Sequence, residues 1–507
     1  MTYSLEDLRR RAKLLRRSYL AGDADAHARV STILPEAESL GHADALHVIA
    51  REEGHESWPK LKHAYDIAAM DRNARAERLK MALFFGQPWM VSRLLEADPT
   101  LPDHNLGLQI ALYRKDAVAD ALARAPQAAT RMIGVRSPIL HLAFSQHWRS
   151  DPASSADAIS IAEMLVAGGA DVNDSYPAEP GSPDLLSALY GALGHAGHMP
   201  LARWLLEHGA NPNDNESLYH ATELGHTDGL KLLFEFGAKP EGTNALARAM
   251  DFDDIEMVRI LLENGADPNE GIAPHPSGQP FTMVPGLHQA ARRMCAGDIA
   301  RLLLEHGAVG TSQHNGHTAY ALARMRGNHD VARVLEEAGQ ATPLDKGEAM
   351  LAAIADGEPV GRIDPEVLSP EARLILHRVL GFDGTLPHVK RLIEAGIDPN
   401  DVDEQDMPAI HIAGWHGFSD AVAYLLGHNP DLGVKNMYGG NLIDTIIHGS
   451  ENAPNRASAD HIGCARLVLK AGTTLRPSEI RGAGVEEMAA LLENWAADHP
   501  EKVVEDG

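Results

Sequence analysis

At 507 residues, with 44% hydrophobic and 23% charged residues, the chain has a globular composition, and its 5% aromatic content points to a core of Leu, Ala, Val and Ile. Its 45 basic and 71 acidic residues leave a net charge of −26, a field that repels phosphate backbones and favours basic or mixed-charge protein partners over nucleic acid. Two distant cysteines, Cys295 and Cys464, build no disulfide framework, and no stretch approaches the ~18 apolar residues of a membrane span, so a cytoplasmic protein off the membrane is expected.

The opening MTYSLEDLRRRAK has no apolar run after its charges and does not read as a signal peptide. Arg9, Arg10, Arg11, Lys13, Arg16 and Arg17 form a local basic run, read as the solvated face of a first helix. HADALHVIAREEG predicts another helix, and His55 to Lys60 breaks the chain and restarts it, with Pro59 near a first helical turn. Residues 1–70 are therefore read as a helical capping module, because a stack of repeats needs a polar cap where it ends.

From residue 71 one phrase recurs: an apolar helix, a Gly or its substitute, then Ala and a turn. It reads AEMLVAGGADVN at 162–173, ARWLLEHGANPN at 202–213, VRILLENGADPN at 258–269, ARLLLEHGAVG at 300–310 and VKRLIEAGIDPN at 389–400. Leu pairs at helical spacing bury one face, the Gly falls where a left-handed helix end is needed, and Asp-Pro-Asn is turn chemistry. A second phrase precedes it, as in SPILHLAF at 137–144, PGLHQAAR at 285–292 and MPAIHIAGWHGFSD at 407–420. Together the two phrases resemble the ankyrin repeat, whose units run about 33 residues. Gly307 to Gly339 spans 32 residues and Gly396 to Asn429 spans 33, whereas Gly209 to Gly237 and Gly237 to Gly265 span 28 each, short enough to have lost the hairpin finger. The resemblance implies an all-α ankyrin-repeat solenoid over about residues 75–495. The whole chain is also similar to a large group of bacterial ankyrin-repeat proteins, a likeness that carries no catalytic role with it.

The expected organisation is a cap at 1–70, a first array at 71–340, an irregular connector at 341–370 with a helix near 347–358, a second array at 371–475, and a closing helix and tail at 476–507. The chain is expected to be a monomer. In ankyrin proteins the concave face usually binds, through finger tips and two variable positions after each Ala pair. Carried onto this sequence, the resemblance names Glu223 and Leu224, Asp251 and Phe252, Met325 and Arg326, and Trp415 and His416. The matching positions one unit further on are His448 and Gly449. Polar inserts at 146–158 and 448–460 are unusually long, and the second offers His448, Ser450, Glu451 and Asn452 as a binding rim. The finger at 269–286 adds Phe281 and Met283.

Catalytic signatures are not found. No His-Glu-x-x-His, zinc-spaced Cys-His set, Gly-x-Ser-x-Gly elbow or phosphate loop occurs, so neither metal nor cofactor is expected. Ser57-Trp-Pro-Lys60 matches Ser-x-x-Lys only formally. Asp251, Asp253 and Asp254 read as turn acids rather than a calcium loop. Most of the 27 histidines have a structural explanation: His208 and His306 sit in the second-helix ending, His198 and His226 in the Gly-His turn, and His141, His288 and His411 at the ankyrin Leu-His position, where the resemblance implies a ring bonded to backbone. Two readings follow: a non-enzymatic protein-binding scaffold, and an enzyme or small-ligand receptor whose pocket lies at 411–461. The second requires His448 and Glu451 to converge with a further polar group.

Overall fold

The computed structural model describes residues 3–36, 39–270 and 284–505. It is 58% helical with few strands. Its contacts divide the chain into two compact units: Ile67–Ala323 with Asn328–Pro343, and Met1–Asp66 with Arg324–Gly327 and Leu344–Gly507.

The unit that begins at Ile67 is a run of antiparallel helix pairs. Its first members are Arg72–Phe84 with Pro88–Ala97, Leu106–Ala111 with Lys115–Arg124, and Pro138–Ala143 with Ser155–Ala167. Further pairs include Ser217–Ala221 with Asp228–Glu235, Ala245–Asp251 with Ile255–Glu263, and Gly286–Arg292 with Gly297–Glu305. Small residues such as Ala221, Ala249 and Ala290 are fully buried and let neighbouring first helices approach. Short antiparallel hairpins project between some units, pairing Ser175–Pro177 with Leu185–Ser187 and Gln313–His314 with His317–Thr318. At the 28-residue units no strand forms, and the chain passes through a tight loop directly into Ser217–Ala221 and Ala245–Asp251. That is the lost finger expected from the spacing.

Each second helix ends as its phrase dictates. Gly237 takes φ 86° and Gly396 φ 103°, conformations that cost a residue with a Cβ, and Asn429 adopts φ 53° where the Gly is replaced. The turn asparagines do more than turn the chain. Asn269 Nδ2 donates to the Gly307 carbonyl at 2.9 Å while its Oδ1 accepts from the Val309 N–H at 2.8 Å. Asn173 repeats this on Gly209 and Asn211 at 3.0 and 2.7 Å. One side chain thereby satisfies both polar directions of the next unit's turn.

In the other unit, the N-terminal helices Leu5–Leu20, Ala24–Ile33 and His42–Glu52 enclose Leu8, Ala12, Leu15, Val30, Leu46, Ile49 and Trp58. Ser4 and Asp7 form a capping box at the first helix, and the next helix begins at Asp23, whose carboxylate accepts from the Ala26 N–H. His42–Glu52 packs against the closing helix Glu486–Asp498, and Arg16 meets Asp498 at 3.1 Å. The connector supplies the helix expected of it, Lys346–Ala355, capped by Asp345. The pairs Ile375–Leu380 with Leu386–Glu394, Ala409–Trp415 with Ser419–Leu426, and Leu442–Asn452 with His461–Ala471 follow.

Candidate functional site

Four of the side chains named from the sequence meet at the ends of successive first helices. The Glu223 carboxylate accepts from His220 Nδ1 at 2.7 Å and from Arg248 Nε and Nη2 at 2.9 and 2.7 Å. Arg248 Nη1 donates to Asp251 at 3.0 Å. Asp251 accepts in turn from Gln289 Nε2 at 2.8 Å and lies 2.8 Å from Arg293 Nε. This chain of charges crosses three repeats. Phe252 rides on it, with the Arg248 guanidinium 4.8 Å from its ring centre, and is 46% exposed. Leu224 stands half-buried in the turn after Glu223.

His220 is the hub. Its Nε2 also faces Glu216 at 3.2 Å, so each ring nitrogen meets a carboxylate. A neutral imidazole donates from only one nitrogen; two flanking carboxylates favour the doubly protonated ring. Burial alone would push the His220 pKa down, but the hydrogen bonds to Glu216 and Glu223 outweigh it and raise it to about 9. Burial works against the Glu223 carboxylate as well, and its bonds and charge contacts with His220 and Arg248 win, holding it below the usual range. Sequence reasoning missed His220, Arg248 and Arg293. The spacings that place Glu216 and Glu223 four and three residues from His220, and Asp251 three from Arg248, are helix-face spacings legible in the sequence.

The second cluster lies on Ala409–Trp415 and Leu442–Asn452. The half-buried Trp415 and the exposed His448 place their ring centres 5.2 Å apart at 43°. His416 stacks on Phe418 at 5.3 Å. The polar insert is corrected here: residues 448–452 are helix, and the loop begins at Ala453. Ser450 Oγ donates to the Ile447 carbonyl at 2.6 Å, Asn452 Nδ2 to the His448 carbonyl at 3.0 Å, and Glu451 accepts from the Gly484 N–H at 2.6 Å. These side chains are engaged within their own helix and with the following segment. Glu451 and His448 are held by different partners rather than converging. The remaining loop fastens back onto the preceding turn, with Asn455 donating to His416 O at 2.8 Å and His461 Nε2 to Trp415 O at 2.9 Å. Gly449 explains the fit, since a Cβ there would run into the Trp415 carbonyl.

Met325 and Arg326 are also corrected. Met325 is 1% exposed, a core residue, and Arg326 is 7% exposed and ion-paired with Glu371 at 3.1 Å. Arg326 is the last residue of helix Ala319–Arg326, whereas its equivalents Phe252 and His416 follow helices that end one residue earlier. Phe281 and Met283 lie outside the described residues. The insert at 146–158 forms two short turns pinned to the next unit, Trp148 Nε1 and Arg149 Nε both donating to Ala196 O at 3.0 and 3.2 Å. His141 and His288 bond backbone carbonyls as the repeat implies, Ile133 O at 3.0 Å and His317 O at 3.1 Å. His411 departs from that expectation and meets the Thr445 hydroxyl at 3.3 Å.

Among the described residues no helix is long and apolar enough to cross a membrane. No relative is matched among curated proteins. Two family models do match: one described as ankyrin repeats (3 copies) over residues 189–271, the other as ankyrin repeats (many copies) over 377–426. The first covers His220, Glu223, Arg248 and Phe252; the second covers Trp415. The chain thus carries ankyrin repeats in two separate stretches of a mostly helical fold, and each of its two surface clusters draws residues from one of them.

Proposed function

We propose that the protein is a non-catalytic interaction module that binds a protein of basic or mixed surface charge, and that Phe252 anchors the contact. Ankyrin repeats are generally protein-interaction modules. The observation that carries the reading is an exposed aromatic ring fixed in place by a pre-organised ionic network. Aromatic side chains dominate interface hot spots, and a ring already ordered before binding loses little conformational entropy on contact. The flanking charges, Glu216, Glu223 and Asp251 against His220, Arg248 and Arg293, balance locally, which suits a mixed-charge partner at this spot; the acidic surface elsewhere steers basic ones. A monomer acting in the cytoplasm fits the same reading.

The test is site-specific photo-crosslinking from position 252 in native-host lysate, with capture repeated on Phe252→Ala. The expected result is one stoichiometric protein crosslinked at 252 and lost in the variant, whose circular dichroism stays unchanged. A partner retained by Phe252→Ala and lost by Trp415→Ala with His448→Ala would move the contact to the second stretch. Equal capture by all three proteins would sink both locations.

A further inference from the structure

A third cluster lies further toward the N-terminus of the unit that holds Phe252 and belongs to no ion-pair network among the described residues. Arg136, where the short bridge between Ile133 and Arg136 closes a finger, directs its guanidinium among three rings. Its central carbon lies 4.5 Å from the ring centre of Phe84, 4.5 Å from Tyr176 and 5.0 Å from Phe144. Nη2 donates to the Tyr176 hydroxyl at 2.6 Å. Nε is enclosed and makes no hydrogen bond, and no carboxylate among the described residues forms an ion pair with the group. In an acidic chain this is unexpected, because Arg72, Arg203 and Arg248 of the same unit are all matched to carboxylates.

The surroundings are built rather than incidental. Phe144 packs against Gly191, where a Cβ would collide with its ring. Residues Gly191–His195 form a π-helical turn, a distortion frequent at functional sites. That turn brings His195 to 4.1 Å from the Phe84 ring, with its Nε2 donating to Phe84 O at 2.9 Å. Tyr190 lies 5.8 Å from Phe144 and 4.8 Å from His220. The nearby carboxylates Glu216 and Glu223 are already engaged by His220. Rings lie against the guanidinium, Nε is enclosed and Nη2 holds Tyr176, so an incoming carboxylate would meet the charge-assisted donors of the Nη1 and Nη2 edge. The Tyr176 hydroxyl accepts from Arg136 and keeps its own proton to donate.

We propose that Arg136, framed by Phe84, Phe144 and Tyr176, is a receptor for a carboxylate group, with the hydroxyl of Tyr176 as a supporting donor. The carboxylate has two possible sources, a peptide terminus or acidic side chain, and a small organic acid. The site does not depend on the contact at Phe252, and Phe252→Ala leaves it unchanged.

Calorimetric titration of the full chain separates the sources. The probes are benzoate and succinate on one side, and a pool of short peptides with free C-terminal carboxylates on the other, each compared with its amide counterpart. Saturable binding of one acid class but not of its amides is expected. Replacing the charged donor by Arg136→Gln should weaken that binding roughly tenfold or more. Arg136→Lys, which keeps charge and loses the fork, should fall between, and Tyr176→Phe, which removes the hydroxyl beside Nη2, should weaken binding about threefold. If Arg136→Gln fails to fold, the Lys and Phe variants decide. The inference is overturned if no acid probe binds the wild-type chain, if acids and amides bind alike, or if the folded variants keep wild-type affinity.

Discussion

Single residues in this protein act through the partners that packing gives them. His220 would titrate near neutrality in water, yet its two carboxylate neighbours hold its proton to about pH 9. A folded pKa above the unfolded value of 6.5 gives stability that is fully present below about 6.5 and lost as pH rises through about 9. Urea unfolding followed at pH 6.5, 8 and 9.5 should therefore show stability declining, by up to ~3 kcal/mol from the size of the shift. His220→Gln should flatten that decline. A wild-type profile flat over this range would refute the charged hub. Glu223 works in the opposite direction: its depressed pKa contributes above the normal carboxylate range and is lost as pH falls.

At the scale of the element, the repeat is held by local signals and joined to its neighbour by side chains the local pattern does not explain. Asn269 illustrates both. Its place after Asp-Pro marks a turn, while its amide reaches Gly307 and Val309, about forty residues on. Asn269→Ala removes both bonds from a partly solvated turn, and a loss of about 1 kcal/mol in denaturant unfolding is expected. Asn269→Asp keeps the acceptor and should lose less. No measurable loss in either variant would show that the turns stack without these bonds. Helix length is the other lesson at this scale. Ala319–Arg326 runs about one residue, and Leu442–Asn452 about four, beyond the 7-residue helices Ala245–Asp251, Gly286–Arg292 and Ala409–Trp415. One buries Met325; the other turns the supposed polar insert into helix.

At the scale of the whole molecule, the grouping of distant segments decides what each terminus does. The helix His42–Glu52 and the closing helix Glu486–Asp498 share one compact unit and pack together. Met488 and Leu492 of the closing helix are fully buried. The exposed Arg16–Asp498 pair adds little, since surface ion pairs contribute about 0–1 kcal/mol. Deleting residues 484–507 should therefore loosen the N-terminal helices through lost packing. Trypsin cleavage within the Arg9 to Arg17 segment should accelerate severalfold in the truncated chain. Arg16→Ala in the full chain should leave the cleavage rate close to wild type. Unchanged cleavage after truncation would show that the N-terminal helices hold themselves.

The sequence by itself determined the repeat. Leu spacing, the Gly at each second-helix end, Asp-Pro-Asn turns and 28- or 33-residue periods are all signals within one unit, readable because helix caps and turns depend on neighbours a few residues away. It also determined that Glu223, Leu224, Asp251 and Phe252 stand at equivalent places in adjacent repeats. Only the tertiary structure decided which surface side chains are already spent on one another. Arg248 and His220 bind the first cluster together, Met325 is taken into the core, Glu451 turns to Gly484, and Arg136 stands among rings without a carboxylate. Each of these outcomes depends on residues that are distant in sequence, or on where a helix happens to stop, and a difference of one helical turn moves a side chain from surface to core.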